Sequence, residues 1–224
     1  MTDIERQDSD AFAKIVDYYE LWRQIYELAG EQPKDKAAWE NGRLYFPSDY
    51  SEKSREWPEW RTKGDWQAWI IEPAPEGYNN VVHSVMPERS SERSEKVEAV
   101  FSRPTDAGKY VLTNIGNFLR TKLGLNSVIL AWNVQGLDPR IKVSPAGPHL
   151  LDYFLKIRPR TSREIASRHL KQYTLSDDPN RYGIALPSEE KYMQVLALSY
   201  EQLNSALLDG MPESITSKVP LWIQ

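Results

Sequence analysis

Trp66-Gln-Ala-Trp69-Ile-Ile-Glu72, Asn79-Asn-Val-Val-His83-Ser-Val-Met86 and Val97-Glu-Ala-Val-Phe101 follow one another closely along the chain. Each is a short run rich in β-branched and aromatic residues, and the joins carry turn chemistry. Pro73, Pro75 and Gly77 break the first pair, and Pro87-Glu-Arg-Ser-Ser-Glu-Arg-Ser94 breaks the second. Parallel strands need a helix-length crossover between them, so consecutive strands with short joins predict an antiparallel meander.

Helical periodicity flanks this meander. From Ser9 to Ala29, apolar residues recur at spacings of three and four (Phe12, Ile15, Val16, Tyr19, Trp22, Ile25, Tyr26), and Gly30 is placed to end the helix. Pro104 opens a second helix over Asp106 to Leu123, with Tyr110, Val111, Ile115, Phe118 and Leu119 on its buried face and Gly124 as its stop. Arg43-Leu-Tyr-Phe46 is a short strand candidate within an otherwise irregular 32–63 stretch. Downstream, Val128–Trp132 reads as an apolar strand. Proline and glycine make the chain irregular through Pro148, and His149–Ile157 reads as extended. Thr161-Ser-Arg-Glu164 has capping-box spacing and predicts a helix to about Tyr173. Asp177-Asp-Pro-Asn180 is a turn, Tyr182–Leu186 a strand, and Lys191–Leu207 a helical or strand-to-helix segment. The expected fold is α+β: a mostly antiparallel sheet with N-terminal, central and C-terminal helices packed on it. It forms a single domain over residues 1–224, with a long tryptophan-containing loop around 47–63.

Composition narrows the function classes. The 28 basic and 32 acidic side chains are interspersed and leave a net charge of −4, without the basic excess that nucleic-acid binding uses. The largest basic run, Lys156 to Arg168, reads as a solvated turn and helix face, with a charge-complementary docking patch as the alternative. No run approaches the roughly 20 apolar residues that span a bilayer. There is no cysteine, hence no disulfide and no thiolate chemistry. An acidic, polar N-terminus unlike a signal peptide predicts a cytoplasmic protein.

Catalytic signatures are sparse. His83, His149 and His169 fall in three different expected elements, with no HExxH spacing and no His-x-His pair. No phosphate-cradling loop is present, and no cofactor is expected. Ser188-Glu-Glu-Lys191 has Ser-x-x-Lys spacing but lacks the motifs that accompany it in acyl-transfer enzymes. The carboxylate pairs Glu189/Glu190 and Asp177/Asp178 are expected in polar turns, ionised and idle. His83 beside Ser84 is the one place where a base and a hydroxyl adjoin, so an enzyme of nucleotides or small metabolites using His83 is the alternative function. The expectation is that the protein is not an enzyme.

Half of the eight tryptophans lie in Trp57-Pro-Glu-Trp60-Arg-Thr-Lys-Gly-Asp-Trp66-Gln-Ala-Trp69. Trp66 and Trp69 run into apolar sequence and enter the core. Trp57 and Trp60 sit among Glu52, Lys53, Arg55, Glu56 and Glu59. They either cap the core from a loop or anchor a partner, a role for which tryptophan is enriched.

Three parts of the chain resemble a known family. The stretch Asp106-Ala-Gly-Lys-Tyr110-Val-Leu-Thr-Asn-Ile-Gly116-Asn-Phe-Leu-Arg120, followed by Gly124-Leu125, is similar to the central helix of actinobacterial immunity proteins typified by the immunity factor for tuberculosis necrotizing toxin. Leu196-Ala-Leu-Ser199-Tyr-Glu-Gln-Leu203-Asn-Ser205-Ala and Lys218-Val-Pro220-Leu221-Trp222 resemble that family's closing helix and terminus. Trp22-Arg-Gln-Ile-Tyr-Glu-Leu-Ala29-Gly30 resembles the end of its opening helix. The resemblance covers about a third of the chain in the right order; the 47–63 segment has no counterpart in it. It implies an antitoxin that binds a polymorphic toxin, an NAD-degrading glycohydrolase in the best-known case, and blocks its substrate cleft. The partner is then a cognate protein toxin; the resemblance carries over no contact residues, and the charged tryptophan loop itself makes Trp57 and Trp60 the expected anchors, with Glu52, Glu56 and Glu59 matching a basic cleft. A non-toxin adaptor is the remaining alternative.

Overall fold

The computed structural model describes residues 3–48, 67–86 and 92–220, with residues 3–8 described by backbone alone. Helix α1 (Asp3–Leu28) leads into β1 (Ala38–Glu40), β2 (Arg43–Ser48), β3 (Gln67–Pro73), β4 (Asn79–Val85) and β5 (Ser94–Phe101). Then come α2 (Pro104–Lys122), α3 (Val128–Gln135), β6 (Ile141–Pro145), α4 (Pro148–Ile157), α5 (Arg163–His169), β7 (Lys171–Leu175) and β8 (Asp178–Ala185). A 3-10 segment (Pro187–Ala197), α6 (Tyr200–Leu208) and α7 (Glu213–Thr216) close the chain.

The strands form one sheet in the order β1-β2-β3-β4-β5-β8-β7-β6, and every described pairing is antiparallel. The fold is therefore α+β, and the predicted meander is its centre. Strand residues alternate between two buried clusters, as the two-residue period of a pleated strand requires. Leu44, Phe46, Ile71, Val81, Ala99, Phe101 and Tyr173 face α1, α2, α3, α6 and the 3-10 segment. Ala68, Ile70, Val82, Val97, Val100 and Ile184 face α4 and α5. One irregularity interrupts the alternation: Val81 pairs with Ala99 but Val82 pairs with Val97, leaving Glu98 as a bulge residue.

Both predicted glycine stops are present. Gly30 and Gly124 have φ of 74° and 73°, and the residue after each donates back five positions, Glu31 to Tyr26 O and Leu125 to Arg120 O.

Six sequence expectations are corrected. Val128–Trp132 is not a strand but the core of helix α3. Ser127 Oγ accepts from Leu130 N, and Asn117 Oδ1 accepts from both Ser127 Oγ and Val128 N, so capping decides what a short apolar run cannot. His149–Ile157 is helical rather than extended. Pro148 sits in its first turn, and Leu150, Tyr153 and Phe154 bury one face at spacings of three and one. Helix α5 is capped by Ser162, not Thr161, and stops at His169, because Lys171–Leu175 pairs with both β8 and β6. The region expected to be irregular before Pro148 contains edge strand β6, and the turn expected at 177–180 is shorter, since β8 already begins at Asp178. Pro47 and Ser48 belong to β2 rather than to the loop expected from residue 47.

Candidate interaction surface

Trp57, Trp60, Glu52, Glu56 and Glu59, the expected partner-binding set, lie outside the described residues, as does Trp66. The described residues on either side of that stretch, Ser48 and Gln67, are neighbours in the sheet. Ser48 pairs with Gln67, Gln67 with Val85 and Val85 with Ser94, so this row closes one end of the sheet.

One row inward on the α2 face runs Phe46–Trp69–His83–Lys96. The His83 ring stacks on Trp69 with centroids 4.4 Å apart, and Trp69 meets Tyr110 edge-on at 5.8 Å. Burial, reinforced by the positive charges of Lys96 and Lys34, lowers the His83 pKa. On the opposite face the row is Pro47–Ala68–Ser84–Glu95. Ser84 Oγ donates to Glu95 Oε1 at 3.3 Å and accepts from Arg93 Nη1 at 3.2 Å. His83 and Ser84, neighbours in sequence, thus point to opposite sides of the sheet and form no base–nucleophile pair.

Other sequence candidates are held by structural partners. Glu189 accepts from the Tyr110 hydroxyl at 2.7 Å and Glu190 from the Tyr173 hydroxyl at 3.0 Å, so this carboxylate pair ties the 3-10 segment to α2 and β7 instead of standing idle in solvent. Asp178 accepts from Arg103. His149 Nδ1 lies 3.3 Å from the Tyr78 hydroxyl, and His169 is exposed at the end of α5. The basic run is largely neutralised: Lys156 pairs with Glu76, Arg163 with Asp152 and Arg168 with Glu164, while Arg158 lies over the Phe154 ring. Among the described residues no group of three His, Asp or Glu is placed to hold a metal ion, and no helix is long and apolar enough to cross a membrane.

The most concentrated buried charge was not legible in the sequence. Asp106, fully buried, receives Arg181 Nε and Nη2 at 2.9 and 2.7 Å and the Lys109 ammonium at 2.8 Å. Lys109 also donates to the carbonyls of Val195 and Leu198. Its three protons are all committed, and desolvation lowers its pKa to about 8 against the opposing pull of Asp106. The cluster joins α2, β8 and the end of the 3-10 segment, and the Asp106 carboxylate and the Lys109 ammonium are both held by internal bonds.

The three segments that carry the family resemblance meet in space. Trp22 Nε1 donates to Asn204 Oδ1 at 3.0 Å, and the Tyr26 hydroxyl donates to Ile115 O at 2.9 Å. A Cβ on Gly116 would come within 2.8 Å of Leu207 Cδ1 and 3.0 Å of the Trp22 ring, so its bare backbone lets α1, α2 and α6 approach. Arg120 Nη1 donates to Leu207 O and Asp209 O.

No family model matches the chain, and no curated protein matches its sequence. Among solved structures the fold is similar to that of Rv3902c from M. tuberculosis, with a TM-score of 0.52 at 13% identity over 84% of this chain and 87% of that one.

Proposed function

We propose that this chain is a cytoplasmic immunity protein that binds a cognate polymorphic toxin and neutralises it by occluding the toxin's active site. The toxin is an NAD glycohydrolase in the best-known case of the family that the sequence resembles. The observation that carries the reading is the mutual packing of the resembling segments: the end of the opening helix, the central helix with Tyr110, Gly116 and Arg120, and the closing helix form one interlocked layer. Similarity in fold to Rv3902c supports the architectural half of the resemblance. The commitment of Asp106, Lys109, Glu189 and Glu190 to internal bonds agrees with a protein that acts by contact. The toxin-facing anchors in this reading are Trp57 and Trp60, with Glu52, Glu56 and Glu59 meeting a basic cleft across an interface of roughly 800 Å² per partner.

Co-expression with the product of the gene immediately upstream, scored for rescue of growth, tests the function itself. The anchors are tested by Trp57→Ala with Trp60→Ala. Loss of two central aromatic anchors weakens binding by about 2 kcal/mol or more, on the order of 30-fold. Unchanged affinity in a folded variant removes these residues from the interface.

A further inference from the structure

Strand β1 is one edge of the sheet among the described strands, and its sequence is self-complementary. It pairs with β2 through Ala38↔Tyr45, Trp39↔Leu44 and Glu40↔Arg43 across a two-residue turn, Asn41-Gly42, with φ of 52° and 76°. Such a turn makes the flanking Glu40–Arg43 pair the hydrogen-bonded one. The antiparallel alternation then turns the amide groups of Ala38 and Glu40 inward and those of Ala37 and Trp39 outward. Among the described residues no further backbone hydrogen bond involves Ala37 or Trp39. An unpaired row of this kind is a template for another strand.

We propose that two copies of this chain pair antiparallel through residues 36–40 about a two-fold axis at Ala38, joining their sheets edge to edge. In that register Ala37 and Trp39 of one copy face Trp39 and Ala37 of the other, so the outward amides of both copies satisfy each other. On the α4 side of the sheet, Lys36 stands opposite Glu40 of the second copy, twice, with the small Ala38 meeting its mate on the axis. Lys36 and Glu40 are exposed, and neither takes part in an ion pair within the chain among the described residues. A register centred on Trp39 would instead set Glu40 opposite Ala38 and the two indoles against each other, with no charge pairing. On the α1 side, Trp39 is 50% exposed and rests edge-on against Phe12 at 5.1 Å. With Ser9, Ala13, Val16 and Asp17 these rings line a notch of about 440 Å³ beside the joint. Pairing covers the open side of Trp39 with the second copy. Exposed ion pairs add little attraction by themselves; here they select the register, and the backbone bonds and the indole supply the contact. The joint is short, so association depends on concentration. This assembly does not rest on the toxin reading and can hold whether or not that reading does.

Sedimentation equilibrium over a concentration series tests it. The wild-type chain is expected to move from 25.9 kDa towards twice that mass as concentration rises. Glu40→Lys sets like charges opposite each other at both ends of the joint and is expected to weaken dimerisation at least about tenfold. Lys36→Glu combined with Glu40→Lys restores the pairing with signs exchanged and returns the wild-type constant. Both positions are exposed, so the thermal midpoint at low concentration serves as the folding control. A chain that stays at 25.9 kDa at every concentration overturns the proposal. So does a Glu40→Lys variant that dimerises as before, or a double exchange that fails to restore what the single change removed.

Discussion

Arg120 donates Nη1 to the carbonyls of Leu207 and Asp209 at 2.8 and 2.5 Å and Nε to that of Asn126 at 3.0 Å, at 6% exposure. Two of these carbonyls lie at the C-terminal end of α6, where main-chain oxygens have no partner within the helix and a cation meets the negative end of the dipole. In sequence this arginine reads only as a suitable charge for the end of its own helix. Its work for a different helix, more than 80 positions along the chain, comes from folding. Arg120→Ala strands these oxygens and is expected to destabilise the chain by about 2–4 kcal/mol. Urea unfolding followed by circular dichroism checks it, and a loss below half a kcal/mol would mean that water replaces the guanidinium. Asp106, Lys109 and Arg181 illustrate the same limit. Asp106 and Lys109 share a helix and could be paired by spacing, whereas Arg181 arrives from a strand pairing that no local pattern announces.

At the level of elements, glycine positions decide how closely α1, α2 and α6 stack. Gly116 is helical, so its cause is contact rather than a special backbone angle: the Trp22 ring is held by its bond to Asn204 and cannot retreat. Gly116→Val gains helix propensity yet forces the layer apart, with an expected net loss of about 2–3 kcal/mol. The thermal midpoint measures it, and an unchanged midpoint would show that the layer yields without strain. The long periodic helices and the proline-punctuated strands of the meander were legible because each obeys one period for many residues. Val128–Trp132 and His149–Ile157 were misread because a short apolar run satisfies helix and strand alike, and the deciding groups lie elsewhere: Asn117 for α3, and the α4-facing side of the sheet for the other. Strand β6 was missed because an edge strand tolerates the proline and exposed residues that make a stretch read as loop.

For the whole molecule, burying this many aromatic and charged groups ties stability to alkaline pH. Lys34 and Lys109 have their pKa values lowered from 10.5 to about 8, chiefly by desolvation. Between those values the unfolded chain binds more protons than the folded one, so stability rises with pH from about 8. Burial raises Tyr153, Tyr182 and Tyr192 to about 12, and Tyr110 and Tyr200 well above the ordinary 10. Above pH 10 the unfolded chain therefore ionises first and stability falls. A denaturation midpoint that climbs from pH 8, crests near pH 10 and then drops is expected, and Lys109→Met should flatten the climb; a midpoint falling steadily from pH 8 would contradict the assignment. The sequence by itself determined the class of fold, the meander, the two long helices with their glycine ends, and the poverty of catalytic signatures. These rest on local periodicity and turn chemistry, which adjacent residues suffice to specify. Only the tertiary structure decided which face each strand residue takes, that His83 and Ser84 part company across the sheet, that Asp106 gathers two cations, and that β1 is left as an edge. Those outcomes depend on strand order and on contacts between residues far apart in the chain, and one-dimensional patterns do not encode which distant partner satisfies a buried charge or an open amide.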